Sequence, residues 1–115
     1  MYYQALLGAR RFKEAASLAE RILEFDAGAS TYNELAWNGY LTGAPVKANL
    51  EQARRANEMT QGTDAAIVDT LARLLHAMGQ RKEALALLDD ALDKISGSRD
   101  RQGLIMCKHE LMHQE

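Results

Sequence analysis

The sequence contains a single proline, Pro45, and no long strand-like run of Val, Ile and Thr. The first scarcity leaves helices uninterrupted, and the second removes the usual material of a sheet. One cysteine, Cys107, has no partner in the chain. That excludes an internal disulfide and fits a reducing, cytoplasmic setting. No apolar stretch approaches the ~20 residues of a membrane span. Met1-Tyr2-Tyr3 opens structure directly, without a basic-then-apolar secretory signal. Charge of one sign is also lacking. Fourteen basic residues face sixteen acidic ones, for a net charge of −2. Arg10-Arg11, Arg54-Arg55 and Arg81-Lys82 are short pairs at helix ends, not a basic stripe. Neither nucleic acid nor a membrane is therefore expected as a partner. Aromatic residues make up only 6%, so alanine and leucine supply much of the interior.

What is present suits one folded domain over residues 1–115. The chain is 47% hydrophobic and 26% charged, ordinary values for a globular protein. Glycines punctuate a series of helical patterns. Residues 2–9 read as a short first helix and 11–26 as a second. The second carries Phe12, Ala15, Ala19, Ile22 and Leu23 on one face at the 3.6-residue period. Thr31 and Glu34 form a T-x-x-E capping pattern for a third helix, whose stripe is Tyr32, Leu35, Ala36 and Gly39. Gly43-Ala44-Pro45 closes that helix and starts a fourth over 46–60, with Val46, Leu50, Ala53, Ala56 and Met59. Thr63-Asp64 caps a fifth helix, with Val68, Leu71, Ala72 and Leu75. After Gly79 a sixth runs to about Ile95, with Ala84, Leu85, Leu88, Ala91 and Leu92. Ser98 caps a seventh, with Leu104, Ile105, Leu111 and Met112 toward the rest of the chain. Short connections predict that consecutive helices pack antiparallel.

The segments repeat. Ala19, Ala53 and Leu88 occupy equivalent places, as do Ile22, Ala56 and Ala91. "NELA", with Leu35-Ala36, recurs as "DTLA", with Leu71-Ala72. A period near 34 residues with two helices per unit resembles the tetratricopeptide repeat. "GQRKEALALLDDAL" is similar to a second helix of such a repeat, and so is "FKEAASLAERIL". The resemblance implies an all-α, right-handed stack of antiparallel hairpins, with repeats over 1–28, 29–62 and 63–97. A helix over 98–115 then covers the open end. Three departures stand out. Asn49 occupies a position expected to be small and apolar, Gly39 replaces a large aromatic, and the unit-end prolines are missing. The first unit also lacks the start of its first helix, which implies a truncated cap or a piece of a longer protein.

The resemblance further implies a groove lined by the first helices of the hairpins, which receives a peptide or helix of a partner protein. Carried onto this chain, the groove residues are Asn33, Trp37 and Tyr40, and Asp69, Arg73 and His76. Each trio has i, i+4, i+7 spacing and shares one helix face. Trp37 reads either as an interface anchor or as packing against the short first helix. Asp69 and Arg73 read equally as an i, i+4 ion pair on a solvated face. His76 reads as a groove-edge residue. The lysines of the repeats that clamp acidic chaperone tails are missing. The first expectation is thus a non-enzymatic interaction scaffold without cofactor or metal. A homodimer is the alternative, since Met106 and Cys107 widen the apolar surface of the seventh helix.

His109-Glu110-Leu111-Met112-His113 spells H-E-x-x-H, in which two histidines chelate zinc and the glutamate serves as general base. Only Gln114 and Glu115 follow, so the usual third ligand is missing, and Cys107 lies about 200° around the helix from His109. A zinc hydrolase is therefore the remote reading. No Ser/His/Asp set, phosphate loop or Cys-x-x-Cys pair supplies another chemistry.

Overall fold

Helix formation by every periodic segment yields seven helices in the computed structural model, which describes residues 2–43 and 46–113. They are α1 (Tyr2–Gly8), α2 (Phe12–Phe25), α3 (Ala29–Leu41), α4 (Lys47–Met59), α5 (Ala65–Ala77), α6 (Arg81–Lys94) and α7 (Ser98–Met112). No strand occurs among the described residues. Nor is any described helix long and apolar enough to cross a membrane. Ala44 and Pro45, expected to join α3 to α4, lie outside the described residues, as do Met1, Gln114 and Glu115.

Consecutive helices pack as neighbours, most extensively α3 with α4 and α5 with α6. The odd-numbered helices also pack on one another, in the order α1, α3, α5, α7. They form one continuous wall, with α2, α4 and α6 behind it. Two apolar cores result. The smaller comprises Tyr3, Leu6, Leu7, Ala15, Ala19 and Leu35. The larger runs from Ala36, Leu50 and Ala53 through α5 and α6 to Leu104, Cys107 and Leu111. Leu35 and Ala36 are adjacent in sequence yet belong to different cores, so α3 is the seam.

Asn49 closes that seam. It is fully buried, and its amide nitrogen faces the Tyr3 hydroxyl at 2.8 Å, Gln52 Oε1 at 3.0 Å and the Leu35 carbonyl at 3.4 Å. Its Oδ1 accepts the Val46 backbone N–H at 3.1 Å, which satisfies a free donor at the start of α4. A buried carboxamide is tolerated only when so partnered. The space it fills is provided by Gly39, where an added Cβ would overlap the Asn49 carboxamide. The two unusual residues are therefore one compensated exchange.

Several local expectations differ from the structure. Thr31 lies inside α3, which starts at Ala29 behind Gly28. Asp26 organises this entry: its carboxylate accepts the Gly28 N–H at 2.9 Å. That bond and one from Thr31 hold the Asp26 carboxyl below its ordinary range. Ser98 is the first residue of α7 behind Gly97, which makes no side-chain cap. Asp64, by contrast, caps α5, accepting from the Ala66 and Ile67 N–H groups at 3.0 and 3.3 Å. Phe12 and Met59 are exposed because they sit at helix ends beyond the reach of the opposing helix.

The α7 face is the largest correction. Leu104, Cys107 and Leu111 are buried, whereas Ile105 and Met112 are half exposed. Both stripes are apolar enough to serve, and polar anchors at the two ends choose between them. Arg101 donates to the Leu92 and Ile95 carbonyls, which are left open at the end of α6. Arg81, at the start of α6, donates to the Met112 carbonyl at 2.7 Å. Lys108 pairs with Asp89 of α6. These contacts set the rotation of α7.

The Gly39–Asn49 exchange has a sign that can be measured. Gly39→Ala is expected to destabilise the wild-type chain by about 1–3 kcal/mol through overpacking. In an Asn49→Ala background the same change is expected to stabilise by about 1 kcal/mol, the helix-propensity gain of alanine over glycine. A urea-denaturation double-mutant cycle reads both values, and additive effects would remove the proposed coupling.

Candidate functional site

The wall of α3, α5 and α7 presents one open face. From α3 come Asn33, Trp37 and Tyr40, all half-buried. Trp37 and Tyr40 stack with ring centroids 5.2 Å apart and planes 23° from parallel. From α5 come Asp69 and Arg73, one turn apart. Arg73 Nε donates to Asp69 Oδ1 at 3.0 Å. Its second arm donates to Glu110 Oε2 of α7, also at 3.0 Å.

Two depressions cross this face. One, of about 250 Å³, lies between α3 and α5 and is lined by Asn33, Trp37, Ala66, Asp69 and Thr70. The other, of about 380 Å³, lies between α5 and α7; Arg73, Arg99, Gly103, Met106 and Glu110 are among its walls. Ala66 and Asp69 line both, so the depressions adjoin. Small side chains make the space. Ala66 is exposed at the junction, and a Cβ at Gly103 would meet nothing within 4 Å.

Four of the six expected residues, Asn33, Trp37, Asp69 and Arg73, line this trough. Tyr40 lies behind Trp37, packed partly against the larger core. His76 is half-buried in the last turn of α5 and lines neither depression. Trp37 borders the depression between α3 and α5 and leans on Tyr40. The Asp69–Arg73 pair forms as the spacing predicts, but not on a solvated face. The Arg73 side chain is only 17% exposed.

The α7 contribution was missed. Arg99, Gly103, Met106 and Glu110 follow the same i, i+4, i+7 rule used for α3 and α5, extended by one turn. The expected roles of α7 were a cap, a self-association surface and an H-E-x-x-H motif, none of which places it in a groove.

Burial opposes the Arg73 charge most strongly. The Asp69 carboxylate, the neighbouring Cys107, and bonds from Glu110 and Tyr40 outweigh it, holding the guanidinium above its ordinary value. Cys107 is pushed the other way. Burial first, then its bond to Asp69, raise the thiol to about 12. It therefore remains a neutral, inert thiol. The Asn33 Oδ1 is buried without a hydrogen-bond partner, leaving one unsatisfied acceptor at the trough.

Compared with protein-family models, curated proteins and solved structures, the chain finds no match in any of the three.

Two stability effects follow. Arg73→Ala strands two carboxylates and is expected to cost roughly 2 kcal/mol, the scale of charge-assisted hydrogen bonds. Loss of the α7 contacts should appear as amide exchange in Leu104–Leu111, and unchanged exchange there would remove Arg73 from α7 docking. Separately, the Cys107 pKa is raised from 9.0 to about 12 on folding. A raised group stabilises fully below its unfolded value and loses that contribution as pH climbs toward the folded one. The stability advantage of wild type over Cys107→Ala is thus expected to narrow between about pH 9 and 12, as read by urea titrations across that range.

Proposed function

We propose that this chain is a tetratricopeptide-like interaction scaffold that seats an extended peptide or a helix of a partner protein in the α3–α5–α7 trough. The pair of adjoining depressions is the observation that carries the reading. It combines an aromatic wall at Trp37, a flexible apolar edge at Met106 and fixed charges at Asp69, Arg73 and Glu110. Such a mixture of anchor, apolar surface and positioned polar groups is what peptide grooves supply.

The repeat reading is supported by turn geometry. Arg10 and Gly79 sit at equivalent positions between the helices of the first and third hairpins, and both have positive φ, 62° and 83°. The following residues close matching bonds, Arg11 N–H to the Leu6 carbonyl at 2.9 Å and Gln80 N–H to the Leu75 carbonyl at 2.8 Å. The wall of first helices, with second helices behind, is the arrangement expected of stacked hairpins in a right-handed solenoid. A free, buried Cys107 suits a reducing, cytoplasmic compartment.

A hydrolytic role for H-E-x-x-H loses support from Glu110. Its carboxylate is engaged by Arg73, about 100° around α7 from His109, and is not free to serve as a general base beside the histidines.

The test is a plugged groove. Peptides selected on the wild-type chain from a displayed random library are expected to bind Gly103→Leu and Ala66→Leu at least about tenfold more weakly, a loss of about 1.4 kcal/mol. Gly103→Leu should meanwhile keep or raise the melting temperature, since it removes a helical glycine and points into open space. Ala16→Leu, on the exposed side of α2, is the control. Selected peptides that bind both plugged variants as well as wild type would place recognition elsewhere.

A further inference from the structure

One pair of side chains is used neither by the core nor by the trough. His109 and His113 lie one turn apart on the outward face of α7, both exposed, with ring centroids 4.4 Å apart and planes tilted by 57°. Small side-chain rotations bring one nitrogen of each ring to the ~2.0–2.1 Å that zinc requires. Zinc in a closed site takes four ligands. Among the described residues no third His, Cys, Asp or Glu completes a group that could hold a metal. Glu110 is held by Arg73, and Cys107 is buried on the core side of the helix. The chain thus supplies half of a tetrahedral site.

The surface around the pair points to what supplies the other half. Ile105, His109 and Met112 follow i, i+4, i+7 spacing and form one stripe. Ile105 is 52% exposed and Met112 50% exposed. The basic Lys108 is turned away toward Asp89 of α6, so no described ion pair covers the stripe. A two-fold axis beside His109 would bring the same stripe of a second copy against it, in a self-complementary contact. Such a contact covers the apolar flanks and sets four imidazoles around one point.

We propose that two copies of this chain join through the outward faces of α7 around one shared divalent zinc ion, held by His109 and His113 of each copy. Imidazole is a good zinc ligand, and binding would need no bond rearrangement beyond displacement of water. Among the described residues the site is incomplete in one copy, so metal binding and dimerisation are proposed as the same event. It lies beside the trough wall, with His113 about 20° around the helix from Met106, and it does not depend on the peptide-binding reading.

Sedimentation velocity of the untagged chain, with and without zinc chloride, tests this. Zinc is expected to convert monomer to dimer at about one ion per two chains, and a chelator to reverse it. His109→Ala and His113→Ala should each abolish the zinc-dependent dimer. His76→Ala, which alters the third histidine, should not. Ile105→Ser should weaken the dimer at least about tenfold without changing helicity. All four positions lie outside the buried core, so circular dichroism should report folded variants. The proposal is overturned by a chain that stays monomeric in zinc, by an adventitious ion only (one zinc per monomer without association), or by a dimer indifferent to His109→Ala.

Discussion

A single buried carboxamide joins the two cores of this protein. Asn49 touches α1 through Tyr3, α3 through Leu35, and its own helix through Val46 and Gln52. Without it the small core around Leu7 and Ala19 would meet the large core around Val68 and Leu88 only along α3. A hydrogen bond contributes about 1 kcal/mol net, but leaving its buried partners unpaired costs more. The directional requirement matters as much as the energy. An apolar contact tolerates sliding, whereas four polar atoms around one amide allow one register of α1 on α3 and α4. Gly39 is the steric condition for that register.

The same logic recurs at the other end. Leu104, Cys107 and Leu111 bury α7, but apolar area alone does not choose its rotation, since Ile105 and Met112 offer a rival stripe. Arg101, Arg81 and Arg73 choose it by meeting helix-end carbonyls and the Glu110 carboxylate. Exposed ion pairs contribute little by themselves. Here the most covered of them, at Arg73, also shapes the floor of the trough. The rotation turns Met106 and Glu110 toward α5 and leaves His109 and His113 outside.

Much of the candidate site was legible because helical spacing is a strong local rule. Asn33 with Trp37, and Asp69 with Arg73, share helix faces by spacing, were singled out by the repeat resemblance, and line the two depressions. Tyr40 and His76 satisfy the same rule but lie beyond the trough, whose ends depend on where neighbouring helices diverge. Spacing along one helix contains no information about that divergence. The α7 wall was legible in principle, since Arg99, Gly103, Met106 and Glu110 keep the period. It was hidden by the assumption that the most apolar face turns inward.

The sequence by itself determined the helices of the described residues, because these depend on local propensity, glycine placement and a 3.6-residue period. The all-helical class and the absence of any membrane-length helix among the described residues follow from the same local terms. Only tertiary structure decided why Asn49 and Gly39 stand where a regular repeat has a small and a large apolar residue. Only it decided which of two apolar stripes on α7 is buried. Both outcomes rest on contacts between residues far apart in the chain, Tyr3 with Asn49 and Arg73 with Glu110, whose partners no periodicity names. The helices are written in short-range pattern; the joints between them are set by shape and polar pairing that exist only once the helices meet.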